Sequence, residues 1–422
     1  MRFVTRILEA LRAPGAHVES RVPATQLPLN LLDPAFLADP YAVYARLRPE
    51  NPVHRLKSGG YLITRHADIT AALANPALGN APSRRSPLAP RNRGRSVAAD
   101  VAANILPFRD KPLHTASRKF VSGVFRSWMK SYPLDASAVS RGLLGPLLET
   151  GAMEAMVDFG RPLSLRIMCG LMGLPPEDGM RLLAWSDAFF YLFAPMPSEA
   201  VRQETDASLG AFRHYLMPLV RARRSRPGGD LVSHLVAARE DGHALSDEEI
   251  ADTLMLLFAD GVENIDAAIA NTLLALHRYP AQMRLLHAEP ARAGRVAVEG
   301  LRFDSPAQII ARVAREDIRI AGTNVAADGA VFLALGAANR DPARFSAPDV
   351  FDMHRPETDA LTFGKGRHSC LGVALVRIEL EAALFELFSA TSRIEVDDSA
   401  LAWEPRLGHR WLEQLPVRLI AR

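Results

Sequence analysis

The chain of 422 residues carries only two cysteines, Cys169 and Cys370. Two cannot build a disulfide framework, and neither belongs to a Cys-x-x-Cys pair, which argues against structural zinc and for a reducing, cytoplasmic setting. A run of roughly 18 apolar residues is also lacking, so no transmembrane helix is expected. The net charge is +3, with both signs spread along the chain and no Lys-rich tract interleaved with aromatics. Nucleic acid is therefore not an expected partner. No repeat or low-complexity linker divides the sequence, and the Pro/Gly clusters at 82–94 and 226–229 are short enough to be loops.

The first 22 residues, "MRFVTRILEALRAPGAHVESRV", show apolar residues at helical spacing but no secretory core with a cleavage site. They read as an amphipathic basic extension, with docking to a membrane surface or a partner as the lesser alternative. Residues 23–422 read as one domain, expected to be monomeric.

Helical patterns dominate what remains. The clearest begins at Ser246, "SDEEIADTLMLLFADGVENIDAAIANTLLALHRYP", with a Ser cap, an acidic first turn and a stop at Pro280. It predicts a helix to about His277, roughly 45 Å long. Being apolar on most faces, it should run through the centre of the molecule. Strand signals are few: 59–65, 308–314, 317–336 and 415–420 alternate or are β-branched. The expected fold class is mainly α with small β-sheets.

Within this background "FGKGRHSCLG" (363–372) stands out. Gly364 and Gly366 permit a tight turn, and the apolar run after it reads as a helix with Cys370 in its first turn. Helix-end amides there favour a thiolate and a lowered thiol pKa. Such a cysteine suits either a nucleophile or a soft metal ligand. The nucleophile needs an oriented base, and His368 has no evident carboxylate partner. Cys169, in "LRIMCGLMGL", reads as an inert core residue.

The pattern Phe363, Gly364, Gly366, His368, Cys370, Gly372 closely resembles the haem-binding loop of the cytochrome P-450 family. Other motifs in the same order extend the resemblance over nearly the whole chain. Glu299 and Arg302 in "EGLR" match the Glu-x-x-Arg pair, and Arg355 in "FDMHRPE" matches the third member of its buried charge network. The resemblance implies a P-450 fold, haem b (iron protoporphyrin IX) as cofactor and Cys370 as iron ligand, the thiolate role this family has. It also implies cofactor contacts from His114, Arg118, Arg312, Phe363, His368 and Gly372. Two carboxylates brought into a protein interior require such basic donors.

On the oxygen side the family carries a small residue, Gly, any residue, an acid and Thr, with a widened helical turn. Here "ADGVEN" supplies Gly261 and Glu263 but departs at Asp260 and Asn264. Asp260 and Asn264 are i,i+4 and share a face with Leu256; Glu263 is rotated away, consistent with supplying protons from outside the pocket. An asparagine amide can orient a water but cannot relay a proton as a hydroxyl does. Asp260 and Asn264 are either anchors for substrate or water, or a hydrogen-bonded pair at a helix kink.

The resemblance places substrate contacts at Leu256, Ala259, Phe189, Phe190, Phe193 and Ile309, although an aromatic-rich helix can equally be core. The expected reaction is insertion of one oxygen atom from O2 into a mainly apolar organic substrate, a secondary metabolite such as a polyketide, free or bound to a carrier protein. Electrons are expected from a separate ferredoxin or flavodoxin with its reductase, docking near Lys111, Arg118, Lys119, Arg126, Lys365, Arg367 and Arg377. Peroxide-driven oxidation or desaturation is the alternative that Asn264 supports, and a haem-bearing recruitment module without turnover is the third. Arg84, Arg85, Arg91, Arg93 and Arg95 make one loop unusually basic; it is either a solvated loop or a docking site for an acidic carrier protein or a carboxylate-bearing metabolite.

Overall fold

A computed structural model describes residues 28–193, 198–239, 244–356 and 359–422. The amphipathic extension assigned to residues 1–22 lies outside the described residues. The central helix spans Asp247–Arg278. Ser246 caps it as expected: its Oγ accepts from the Glu249 backbone N–H at 3.1 Å, and the Glu249 carboxylate accepts from the Ser246 N–H at 3.1 Å. Three acidic residues in the first turn and His277 and Arg278 in the last complement the helix dipole.

Leu254, Phe258, Val262, Ile269 and Leu273 of this helix have no exposed surface. Each such burial stabilises the fold by about 1.5–3 kcal/mol before ordering costs. Around it pack the helices Arg161–Met172, Glu199–Ser225, Ala293–Phe303 and Val373–Ala390, together with a π-helical turn, Ala155–Gly160. A Cβ on Gly160 would lie 2.8 Å from the Asp266 Cα, so glycine is what allows this turn to approach the central helix.

The strands are β1 (Val53–Arg55), β2 (Tyr61–Ile63), β3 (Leu78–Gly79), β4 (Ala152–Glu154), β5 (Ile309–Ala314), β6 (Ile318–Ile320), β7 (Thr323–Val325), β8 (Ala330–Ala334), β9 (Thr391–Val396) and β10 (Pro416–Ala421). They form a five-stranded sheet β1-β2-β8-β5-β3, a three-stranded sheet β4-β10-β9 and the hairpin β6-β7. Pairing is antiparallel except for β2 with β8, where Tyr61 faces Val331 and Ile63 faces Leu333. All four expected strand regions contain strands. The unanticipated β1, β3 and β4 have three residues or fewer, too short for an alternating pattern. β9 continues directly from the helix Val373–Ala390, whose apolar run masks it. Leu335 and Gly336, expected in a strand, begin a short helix to Asn339.

Among the described residues no helix is long and apolar enough to cross a membrane. The fold is mainly α with small sheets, as the sequence patterns indicate.

Replacing Ser246 with Ala leaves the Glu249 N–H without its capping partner. The expected loss is about 1 kcal/mol in urea unfolding; an unchanged midpoint would show that the central helix does not depend on its cap.

Candidate active site

The loop 363–372 is a ring closed by its own backbone. Gly364 N–H donates to the Leu361 carbonyl at 2.8 Å and Cys370 N–H to the Phe363 carbonyl at 2.9 Å. Gly364 and Gly366 have φ of 64° and 77°, the left-handed region that favours glycine. The following helix starts at Val373, with Gly372 at its N-cap. Cys370 therefore precedes the helix instead of lying in its first turn, because its N–H is used to close the ring. Gly372 N–H donates to the Cys370 Sγ at 3.3 Å. Burial pushes the Cys370 thiol up to about 11, against the lowering effect of that N–H and of Arg118. The depressed thiol expected from sequence is thus absent in the chain by itself: desolvation outweighs one amide donor and a nearby cation.

What fixes the ring is a buried charge network. Arg302 forks onto Glu299 through Nε and Nη2, both at 2.8 Å, and Arg355 Nε reaches the same carboxylate at 3.2 Å. Glu299 and Arg302 are 3% and 2% exposed, so this pair is far from an ordinary surface ion pair. The Arg302 Nη1 donates to the Asn339 carbonyl at 2.8 Å. Asn339 Oδ1 in turn accepts from Leu361 N–H at 2.6 Å, and its Nδ2 donates to Thr362 Oγ1 at 2.9 Å. Asn339 thereby links the charge pair to the two residues preceding Phe363. Sequence reading passes over this role of Asn339, since nothing in "GAANRDP" marks which amide is buried.

Across from the ring, Asp260 and Asn264 lie one turn apart on the central helix. Asp260 and Cys370 both keep accessible surface, yet burial dominates the upward shift of each, and the Asp260 carboxylate acts on Cys370. Groups that are accessible and also desolvated face an internal cleft. Burial raises the Asp260 carboxyl to about 7. Asn264 Oδ1 is buried without a hydrogen-bond partner. The central helix stays α-helical through Gly261, with no widened turn. A Cβ on Gly261 would lie 2.7 Å from Met168 Sδ, so the glycine is needed for packing against the helix Arg161–Met172.

Four basic groups gather on the Cys370 side. The rings of His114 and His368 are 3.8 Å apart, and His114 Nε2 is buried without a partner. Arg312 is 7% exposed and, among the described residues, donates only to the adjacent Ala311 carbonyl at 2.7 Å. Arg118 is near enough to lower the Cys370 thiol. Among the described residues, none of the four forms an ion pair. Burial lowers His368 to about 3, reinforced by His114 and Arg312, and lowers Arg312 to about 10, where Asp110 opposes the shift and Arg367 adds to it.

Glu263 points away from this cleft, as its helical position predicts. Its carboxylate accepts from Ser186 Oγ at 2.9 Å and from Arg406 Nη1 at 3.4 Å. Arg406 also pairs with Asp187 and, at 3.0 Å, with Glu404. One guanidinium cannot neutralise three carboxylates, and burial raises Glu263 to about 8. Sequence reading misses this cluster because Ser186, Asp187, Glu404 and Arg406 share no spacing.

Comparison with known proteins now discriminates. The cytochrome P450 family model matches residues 183–392. The biotin biosynthesis cytochrome P450 of Bacillus subtilis (strain 168) is 33% identical over 386 residues, covering 90% of this chain and 96% of that protein. The chain belongs to the cytochrome P450 family. The polyketide biosynthesis cytochrome P450 PksS of the same organism is 30% identical, covering 91% of this chain and 96% of its own length. A crystal structure of P450BioI in complex with hexadec-9Z-enoic acid ligated acyl carrier protein superposes with a TM-score of 0.83 at 30% identity, over 92% of this chain and 99% of the other. As a cytochrome P450 the chain is a monooxygenase that uses a haem iron, O2 and electrons from a redox partner.

The residues present fit that cofactor. A thiol accessible from the cleft at a narrow ring, a His114 nitrogen with no partner among the described residues and two desolvated arginines form a cradle for a flat group with one soft ligand and carboxylate tails. The proposed substrate contacts divide. Phe189 and Ala259 have no exposed surface, while Phe190 packs edge-on against Trp411 at 5.2 Å. Phe193 stacks on Phe108 at 4.9 Å, Ile309 is half-buried, and Leu256 is 5% exposed. Phe189, Phe190, Leu256 and Ala259 are therefore core in this structure. Residues 194–197 of the same aromatic segment lie outside the described residues.

Two measurements probe this cytochrome P450 site. Arg302→Ala removes the bidentate partner of the buried Glu299 carboxylate and leaves it Arg355 and the Asp352 N–H, so an unfolding cost of about 3 kcal/mol, the lower end for breaking a buried pair, is expected; a cost below about 1 kcal/mol would contradict the anchoring role. For Glu263, the folded carboxyl titrates at about 8 and the unfolded one near roughly 4.3. Between those values the folded state retains a proton that the unfolded state releases, so stability falls as pH rises through the window. Glu263→Gln should flatten the pH–stability curve there; an unaltered slope would assign the proton elsewhere.

Proposed function

We propose that this cytochrome P450 is a haem-thiolate monooxygenase that inserts one oxygen atom into a mainly apolar secondary metabolite of polyketide or fatty-acyl type. Haem b, once bound, supplies the activation of O2 and the transfer of the oxygen atom. Cys370 provides the iron ligand, and His114, Arg118, Arg312 and His368 hold the two propionate carboxylates. The observation carrying the reading is the convergence on one cleft wall of an accessible but desolvated thiol and four basic groups that, among the described residues, form no ion pair.

Opposite them, Asn264 orients water or a substrate group through its amide. Glu263 keeps a proton in reserve behind the helix, paired with Arg406. Exposed Lys111, Lys119, Arg126 and Arg377 flank the segments bearing His114 and Cys370 and form a basic surface for an acidic ferredoxin or flavodoxin. Lys365 is engaged by Asp359 at 2.8 Å and contributes less.

Delivery of the substrate on an acidic acyl carrier protein is supported by the basic loop. Arg84, Arg85, Arg91, Arg93 and Arg95 are all exposed, and among the described residues none makes an ion pair. The carrier-protein complex of P450BioI and the polyketide role named for PksS favour the same chemistry. Peroxide-driven chemistry is the second reading, favoured by the amide of Asn264 where the family has a hydroxyl.

Reduced protein treated with carbon monoxide should show the thiolate-type Soret band, abolished in Cys370→Ala and retained in Cys169→Ala. Product formation with reduced ferredoxin but not with hydrogen peroxide supports the first reading, and the reverse supports the second. Absence of the band in the wild type would sink both.

A further inference from the structure

The acids of the central helix follow a rule that one residue breaks. Asp252 is paired with Arg213 at 2.7 Å, Glu263 with Arg406 at 3.4 Å and Asp266 with Arg161 at 3.0 Å. From Asp252 to Asp266, each carboxylate with no outlet to the cleft is paired with an arginine, Glu263 sharing Arg406 with Asp187 and Glu404. Asp260 has none: among the described residues nothing donates to it, and no cation is near enough to act on it. The cleft's own basic groups are gathered with Cys370 on the opposite wall. One turn further along, Asn264 Oδ1 is a second acceptor without a partner. Residues at i,i+4 have their Cβ atoms about 5–6 Å apart, so the two acceptors can be reached by one small polar group.

A buried acceptor left without a donor carries an unrecovered desolvation cost. For the buried carboxylates Asp252, Glu263 and Asp266 the fold meets that cost with an arginine. Here it leaves the position open toward the cleft, so the donor arrives with the ligand. Asn264 can also donate through Nδ2, which matches an amide group's pairing of N–H and carbonyl.

We infer that Asp260 and Asn264 form a recognition site for a nitrogen-bearing substrate, one that presents an N–H donor to the central helix while its apolar remainder fills the cleft. This rests on the reading of the cleft as the substrate site, and it narrows the substrate class from apolar metabolites to those carrying an amide or protonated amine. Asp260 is thereby a specificity determinant. A site built to hydrogen-bond a polar group discriminates strongly against analogues that lack it.

The test is isothermal titration calorimetry on the haem-loaded protein with matched probes on one C12 chain. Dodecanamide, which has N–H donors, is compared with N,N-dimethyldodecanamide, which keeps the carbonyl and has none. The wild type should prefer dodecanamide by about tenfold or more, the factor set by one hydrogen bond to a charged acceptor. In Asp260→Ala the ratio should fall to within about twofold, while the affinity for methyl dodecanoate stays the same or improves. A protonated N,N-dimethyldodecylamine probe separates the two donor types: Asp260→Asn should weaken it and spare dodecanamide if charge is what is read. If Asp260→Ala does not load haem, Asp260→Asn and Asn264→Ala carry the comparison.

Equal affinities within the amide pair, an unchanged ratio in the variants, or no binding of either N–H probe overturns the inference; the first would mean that water serves the two acceptors. The carbon monoxide spectrum of the same preparations reports separately on the haem-thiolate assignment. A normal thiolate band with no N–H preference defeats only the recognition site.

Discussion

Burying the Glu299 carboxylate is the constraint on which the site depends. A carboxylate with almost no exposed surface must find its full complement of donors inside the protein, and here two guanidiniums and the Asp352 N–H provide them. Each guanidinium has spare N–H groups, and these reach carbonyls at Asn339, Ser346, Ala347, Pro348 and Val350. One buried charge therefore organises the segment leading from the five-stranded sheet to the Cys370 ring. Asn339 carries that order to Leu361 and Thr362, where the ring begins. The thiol is presented by a loop, but the loop is held by a salt-bridged helix.

Much of this was legible in the sequence, for reasons that differ by element. The central helix is local physics: a Ser, a Glu three residues later and thirty residues of apolar pattern suffice. The Cys370 ring is legible because glycine is needed where φ is positive, and that requirement leaves a trace in the chain. Asn339 and Arg406 leave no such trace. Their roles arise from contacts to Leu361 and Glu263, which no residue spacing records. The thiol was misjudged for a related reason: helix-end amides can be inferred from neighbours in sequence, whereas desolvation is a property of the whole fold.

Two acids three residues apart on the central helix serve different environments. Glu263 lies behind the helix among Ser186, Asp187, Glu404 and Arg406, where burial favours its protonated form against the opposing pull of Arg406. Asp260 faces the cleft without a cation. The 100° turn between successive residues places the two carboxyls on different faces of one rigid element.

The parallel contact of β2 with β8 bears on how the chain reaches this state during synthesis. Tyr61 pairs with Val331, roughly 270 residues later, so at about 5–20 residues per second the first hairpin waits on the order of tens of seconds for its neighbour. During that interval Leu62 and Ile63, fully covered in the finished sheet, have no β8 beside them. The nascent chain thus passes through a window in which an apolar strand is open to chaperones or to other nascent chains.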